Sequence, residues 1–215
     1  EMTSSLVGSE MCIRDRPGTI DNDIGYTDFT IGFDTAVNNV MGEMEKIRDT
    51  MRSHDRVAVV EVMGRACGDI ALWSAMTAPA DIVLTPESPR DWGEAASQLM
   101  HNKLMGRFTS MVIIAEGAGK AADFAKFVQE HTDVEIKPVV LSYIQRGGAP
   151  TAADRMLATR LGARAVELIH EGVRNRALGI HDNHIVDVDI KDSTAHNENY
   201  DQSLYELHSK MNRIY

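Results

Sequence analysis

The stretch Val57-Ala58-Val59-Val60-Glu61-Val62-Met63-Gly64-Arg65 decides how the chain is to be read. Its first six residues are apolar except for Glu61. They suit a strand covered on both faces, as in a parallel sheet. The run ends in Gly64 and Arg65, and a helical pattern runs from Asp69 through Met76. Strand, glycine turn and helix form the unit of parallel sheets joined by helical crossovers.

The unit repeats in both directions. Upstream, Val37, Val40, Met41, Met44 and Ile47 recur at the spacing of a helix with one buried face. Downstream, strands are expected at 82–84, 111–114 and 139–141, and helices at 93–105, 121–131 and 151–171. Strand-like pieces at 177–190 and a helix near 202–212 follow. The expected class is α/β. In such sheets the ligand loops gather at the carboxyl ends of the strands. Met63–Arg65, Glu116-Gly117 and Tyr143–Gly148 occupy that place here.

The 215 residues include 22 basic and 32 acidic ones, for a net charge of −10; 43% are hydrophobic and 25% charged. These values exclude disordered, collagen-like and coiled-coil chains. The acidic balance argues against a sequence-independent grip on nucleic acid, which needs clustered cations. No apolar run approaches the roughly 18 residues of a spanning helix, so no membrane segment is expected. Two cysteines, Cys12 and Cys67, cannot build a disulfide framework, and a cytoplasmic setting is expected. Cys67 has no placed His or Asn partner and reads as a packed residue. The eight histidines show no metal-ligand spacing.

Residues 1–16 stand apart. Glu10-Met11-Cys12-Ile13-Arg14-Asp15-Arg16 resembles the translation of a transposon-end adapter used in sequencing libraries, so 1–16 is read as foreign to the fold.

Three constellations could carry chemistry. In Thr19-Ile20-Asp21-Asn22-Asp23, alternate side chains of an extended loop point the same way, so Asp21 and Asp23 can share a site. Such a pair can take a hydroxyl proton or help hold magnesium; a solvated acidic turn is the plainer alternative. Gly64 permits close backbone approach and Arg65 offers a fork for phosphate oxygens, beside a helix amino end that favours anions. The alternative there is a connector with a surface arginine. Tyr143-Ile144-Gln145-Arg146-Gly147-Gly148 repeats the arrangement. Arg56, Arg65, Lys137 and Arg146 are thus four cations at loop or strand ends, a pattern that suits a phosphorylated substrate. Singly, each reads as a surface charge.

Pro17-Gly18-Thr19-Ile20-Asp21-Asn22-Asp23, followed by Thr27-Asp28-Phe29-Thr30-Ile31-Gly32-Phe33-Asp34-Thr35-Ala36, closely resembles the bacterial 6-phosphofructokinases. So do Val60–Arg65 with Cys67-Gly68-Asp69, and Ile144-Gln145-Arg146-Gly147-Gly148-Ala149-Pro150 with Asp154-Arg155. The resemblance runs from Pro17 to Tyr215. It implies a three-layer phosphofructokinase fold with two Rossmann-like parallel-sheet domains, the first incomplete. Residues 17–32 would end the nucleotide-binding domain with the catalytic loop, and 33–144 would form the sugar-phosphate-binding domain. Residues 145–195 would return to the first domain, and 196–215 would be a C-terminal segment.

The resemblance also implies a glycolytic reaction, transfer of the ATP γ-phosphoryl group to the 1-hydroxyl of fructose 6-phosphate with Mg2+, leaving ADP. Asp21 would be the base, Thr19 would hold the phosphoryl group or sugar, and Asp23 would tune the magnesium-phosphate region. Arg65 would stabilise developing charge. Met63, Gly64 and Glu116 would bind sugar hydroxyls. Arg146 would grip the 6-phosphate, with Arg56 and Lys137 reaching in from a neighbouring subunit of a homo-oligomer, usually a tetramer. Arg48 and Asp81 match positions of a nucleotide effector site. The family commonly has Arg at 137 and His at 143. Lys137 keeps the charge but loses the fork, and Tyr143 cannot become cationic near neutral pH.

Pyrophosphate-dependent relatives typically carry Lys between the Pro and the Thr of the first motif, so Gly18 favours ATP. The GGDG-type loop that binds ATP and magnesium is absent from the sequence. The expectation is therefore an inactive fragment of a longer kinase. The alternatives are a pyrophosphate-dependent phosphofructokinase and a non-catalytic sugar-phosphate-binding fragment.

Overall fold

The structure, a computed structural model, describes residues 14–78, 80–193 and 200–212. Most of the adapter-like segment and the expected boundary between 195 and 196 lie outside the described residues. In chain order the elements are β1 (Arg14–Asp15), α1 (Phe33–Arg52), β2 (Val57–Val62), α2 (Asp69–Thr77), β3 (Ile82–Leu84), α3 (Trp92–Leu104), β4 (Met111–Ala115), α4 (Ala121–His131) and β5 (Ile136–Val140). A 3-10 turn (Ser142–Arg146), α5 (Ala152–His170), β6 (Arg176–His181), β7 (His184–Asp189), a short 3-10 turn (Ile190–Asp192) and α6 (Gln202–Met211) follow.

The core is a four-stranded, fully parallel sheet in the order β3-β4-β2-β5. Its strands read as continuous apolar runs because both faces are covered. Ala58, Val60 and Val62 of β2 and Met111, Ile113 and Ala115 of β4 face α1 and α2. The alternate residues Val57, Val59, Val112 and Ile114 face α3 and α4. Phe33, Ala36, Val37, Val40 and Met44 form the buried stripe of α1. No described helix is long and apolar enough to cross a membrane.

A second, three-stranded sheet, β1-β6-β7, packs against α5 through Leu157, Leu161, Leu168, Leu178 and Ile180. Arg14 and Asp15, within the stretch read from sequence as foreign, pair in parallel with Arg176 and Ala177. β6 and β7 form an antiparallel hairpin. Asp182 and Asn183 turn it with φ of 47° and 63°, the two positive values that a tight primed turn requires.

β5 begins at Ile136 rather than near 139. Lys137 and Pro138 interrupt the apolar run, but β5 is a sheet edge, where proline is tolerated. The loop carrying Asp21 is fixed between the two sheets. Its Ile31 N–H donates to Pro17 O and its Asp28 N–H to Ile180 O, both at 2.7 Å. Asp154 of α5 accepts from the N–H groups of Gly32 and Thr35 at 2.8 Å and from the Thr35 hydroxyl. It thereby caps α1, whose own N-cap Gly32 has no side chain to do so.

Candidate active site

Four loops meet at the carboxyl end of the parallel sheet. β2 leads into Met63–Arg65, β4 into Glu116-Gly117 and β5 into the 3-10 turn that carries Tyr143 and Arg146. The Thr19–Asp23 loop completes the set.

Asp21 lies at the centre and is 5% exposed. Its N–H donates to Thr19 Oγ1 at 3.2 Å, and its Oδ2 stands 3.8 Å from Arg65 Nε. Burial raises its pKa above the ordinary carboxylate value, and the charge of Asp23 pushes the same way. Arg65 and Arg146 pull it down, and Glu116 adds a smaller upward push. Thus four other residues singled out from sequence lie within electrostatic reach of Asp21.

The loop after β2 is shaped by close backbone contact. Gly64 has φ of 138°, and a Cβ there would meet Cys67 O at 2.3 Å. A Cβ at Gly117 would meet Arg65 O at 2.4 Å, so these two loops can approach only through glycine. Arg65 itself has φ of 56°, unusual outside glycine and of a kind concentrated at functional sites. Glu116 Oε1 accepts from the N–H groups of Gly64 at 3.2 Å and Arg65 at 2.8 Å. The Met63 N–H donates to Gln145 Oε1, so the loop's amides are held by side chains from two other loops.

Asn22, between the two carboxylates, is buried and left-handed with φ of 56°. Its Oδ1 accepts from Thr30 N–H at 3.0 Å, and its Nδ2 donates to Asp69 Oδ2 at 2.8 Å. Asp69 opens α2, directly behind the Arg65 loop. Burial pushes Asp69 up to about 6, against the lowering bond from Asn22. The same burial raises Cys67, which stays a packed thiol. Asn22, Asp69 and Gln145 were not singled out from sequence for any role. The Asn22–Asp69 and Met63–Gln145 partners lie far apart along the chain, and no local spacing reveals them.

Gly18 is exposed, and a Cβ there would meet nothing closer than Arg16 O at 4.0 Å. Backbone packing does not impose glycine at this position. Asp21 and Asp23 form the kind of donor set magnesium takes, one or two carboxylates beside phosphate oxygens and water. Among the described residues no group of three or more His, Cys, Asp or Glu could hold a metal.

Two expected residues lie elsewhere. Arg56 precedes β2 and Lys137 pairs with Ala58, so both sit at the amino end of the sheet. From Ala58 to Met63 is about 17 Å of strand. Arg56 Nε and Lys137 Nζ share Glu135 Oε1 at 2.8 and 3.2 Å and lower the Glu135 pKa. Arg48 and Asp81 line one cavity of about 550 Å³ with Arg52 and Arg107, also at the amino end, with Arg107 Nη2 3.6 Å from Asp81 Oδ1.

The family model described as phosphofructokinase matches residues 8–169. The chain is 50% identical over 191 residues to the ATP-dependent 6-phosphofructokinase of Clostridium tetani, covering 89% of this chain and 60% of that protein. To the ATP-dependent 6-phosphofructokinase of Clostridium acetobutylicum it is 46% identical over 197 residues, covering 92% and 62%. Among solved structures, phosphofructokinase from Saccharomyces cerevisiae superposes with a TM-score of 0.77 at 33% identity, over 84% of this chain and 26% of that one. A pyrophosphate-dependent phosphofructokinase from Nitrosospira multiformis superposes with a TM-score of 0.78 at 20% identity, over 92% and 56%, a likeness of fold. The chain spans about 60% of the length of the curated relatives it matches.

Proposed function

The chain belongs to the phosphofructokinase family, and from that premise we propose that it carries the base and the sugar-phosphate site of an ATP-dependent 6-phosphofructokinase. The enzyme would pass the γ-phosphoryl group of ATP to fructose 6-phosphate and release ADP and fructose 1,6-bisphosphate, as a cytoplasmic step of glycolysis. The observation that carries the reading is Asp21. It is a buried carboxylate of raised pKa, held 3.8 Å from a guanidinium where the loops of a parallel sheet converge.

Phosphoryl transfer asks a protein for alignment and charge neutralisation more than for covalent help. Asp21 takes the proton of the sugar 1-hydroxyl as that oxygen attacks. Arg65 balances charge developing on the transferring oxygens. Thr19 holds the phosphoryl group or the sugar beside Asp21. Glu116 and the Met63-Gly64 backbone orient the sugar, although the Met63 N–H is already given to Gln145 and the Gly64 N–H to Glu116. Arg146, with Tyr143 on the same turn, receives the 6-phosphate. Asp23 is the carboxylate assigned to the magnesium side; the ion, when bound, neutralises the donor's phosphates. The open space at Gly18 leaves room for nucleotide phosphates, which supports ATP over pyrophosphate as donor.

Arg56 and Lys137 face the 6-phosphate only if a second copy brings the amino end of its sheet there, so the working unit is a homo-oligomer. A tetramer is the assembly we assign. The cavity lined by Arg48 and Asp81 is the matching candidate for an anionic effector.

For the 215 residues by themselves, which contain no GGDG-type turn, we propose phosphosugar binding without turnover. Calorimetric titration of this chain with fructose 6-phosphate, and with fructose as control, tests the reading. Heat with the phosphosugar and none with fructose is expected. Equal or absent heats would sink the sugar-phosphate assignment. Production of fructose 1,6-bisphosphate from ATP by this chain alone would overturn the second claim.

A further inference from the structure

β2 and β5 pair as far as Glu61 and Val140, and the Leu141 N–H still donates to Glu61 O at 3.2 Å. Beyond that rung the two chains diverge. One becomes Met63–Arg65 and the other the turn Ser142–Arg146. Gln145 spans the gap with its side chain. Its Oε1 accepts the Met63 N–H at 3.0 Å, and its Nε2 donates to Ser142 O at 3.0 Å. The residue is 1% exposed, yet it lines a cavity of about 230 Å³ with Glu61, Met63, Glu116 and Tyr143. Its main chain is held as well. Asn39 of α1 donates through Nδ2 to Gln145 O at 3.3 Å and to Gly147 O at 2.7 Å.

We propose that Gln145 is a positioning residue for the phosphosugar: its amide acts as an extra rung of the β2–β5 ladder and fixes the separation of Arg146 from the Met63–Arg65 loop. The inference rests on the sugar-phosphate reading above. Arg146 sits at the phosphate end of the substrate, and Arg65 with Asp21 at the reacting end. A ligand of fixed length is bound well only if those two ends stay at a fixed distance.

The amide suits the place because it offers an acceptor oxygen and a donor nitrogen on a single planar group, and each atom has a partner in a buried setting where an unpaired polar group is costly. Methionine keeps the volume and supplies neither bond. Glutamate keeps the acceptor for Met63 but, when ionised, has no proton for Ser142 O. Once protonated it can donate again. Glu116 lines the same cavity and favours the protonated form; Glu61 adds less, because Lys120 Nζ pairs with its Oε1 at 3.1 Å, and Arg146, next in the chain, opposes it.

The test is fructose 6-phosphate affinity of the 215-residue chain, measured by calorimetry, with circular dichroism to verify the fold. Gln145→Met should weaken binding about tenfold or more with helix and strand content retained. Gln145→Glu should be weakened at about pH 8 and recover toward the parent chain at about pH 6. Each value is taken as a ratio to the parent chain at the same pH, which cancels titration of the substrate phosphate. Unchanged affinity in Gln145→Met overturns the role. Should that variant not fold, Gln145→Glu decides: a ratio independent of pH overturns the role of the donated bond. Absence of binding by the parent chain is a different result and removes the sugar-phosphate reading itself.

Discussion

A carboxylate that takes a proton from a sugar hydroxyl must be a stronger base than a surface aspartate, yet still ionised at working pH. In the role proposed for Asp21, opposed influences act on its carboxyl. Burial and Asp23 raise its pKa, while Arg65 and Arg146 restrain the rise. In the longer kinase proposed above, with the nucleotide-binding part restored, Asp21→Asn should lower kcat by about 10²–10⁴-fold with little change in KM for fructose 6-phosphate. A coupled assay of both constants checks this, and an unchanged kcat removes Asp21 from the reaction. Arg65→Ala has a second signature besides lost rate. Arg65 lowers the Asp21 pKa, so its removal lets that pKa rise. The base is active when deprotonated, so the acid limb of kcat/KM should move to higher pH. A limb that stays in place or moves down would break the link between the two residues.

At the scale of elements, the site depends on how loops are tied to helices and strands, and Asp69 is the tie with a pH signature. Its folded-state pKa of about 6 lies above its ordinary value of 3.8. The protonated form is thus favoured by the fold. Its stabilising contribution is full below about pH 4 and is lost as pH rises through about 6, on the order of 3 kcal/mol. Asp69→Asn cannot ionise, and its amide oxygen still accepts from Asn22. Urea unfolding of the wild-type chain should show a midpoint that falls between about pH 4 and 6, with a flatter profile and a higher midpoint at about pH 7 in the variant. A variant weaker than wild type at neutral pH would refute this account. The same ties mark what was legible in the sequence. β2, β3 and α4 stand where periodicity put them, because strands buried on both faces and one-sided helices advertise themselves in runs and stripes. β5 began early because Lys137 and Pro138 hide an edge strand, and the β6–β7 pairing was not foreseen because its turn, Asp182-Asn183, lacks glycine. The Asn22–Asp69 and Met63–Gln145 bonds join residues 47 and 82 positions apart, beyond the reach of any local pattern.

Across the whole molecule, the cations recognised from sequence fall at opposite ends of one sheet. Arg65 and Arg146 stand on the loops beyond its carboxyl end, and Arg56 and Lys137 at its amino end, where both lean on Glu135. A strand of about 17 Å cannot be folded back, so no motion within one chain unites the four. Either the two pairs serve different ligands or a neighbouring copy supplies the second pair. The second alternative has a consequence that the first lacks. Let one chain carry Arg146→Ala and another Arg56→Ala, each alone weak in phosphosugar binding. In a two-fold interface between them, one site receives both lesions and the other receives none. Random mixing makes about half of the interfaces hybrid, so about a quarter of the wild-type number of tight sites should return. Calorimetric titration of the mixed chains, after unfolding and refolding together, counts those sites. If mixing returns none, Arg56 does not complete its neighbour's site.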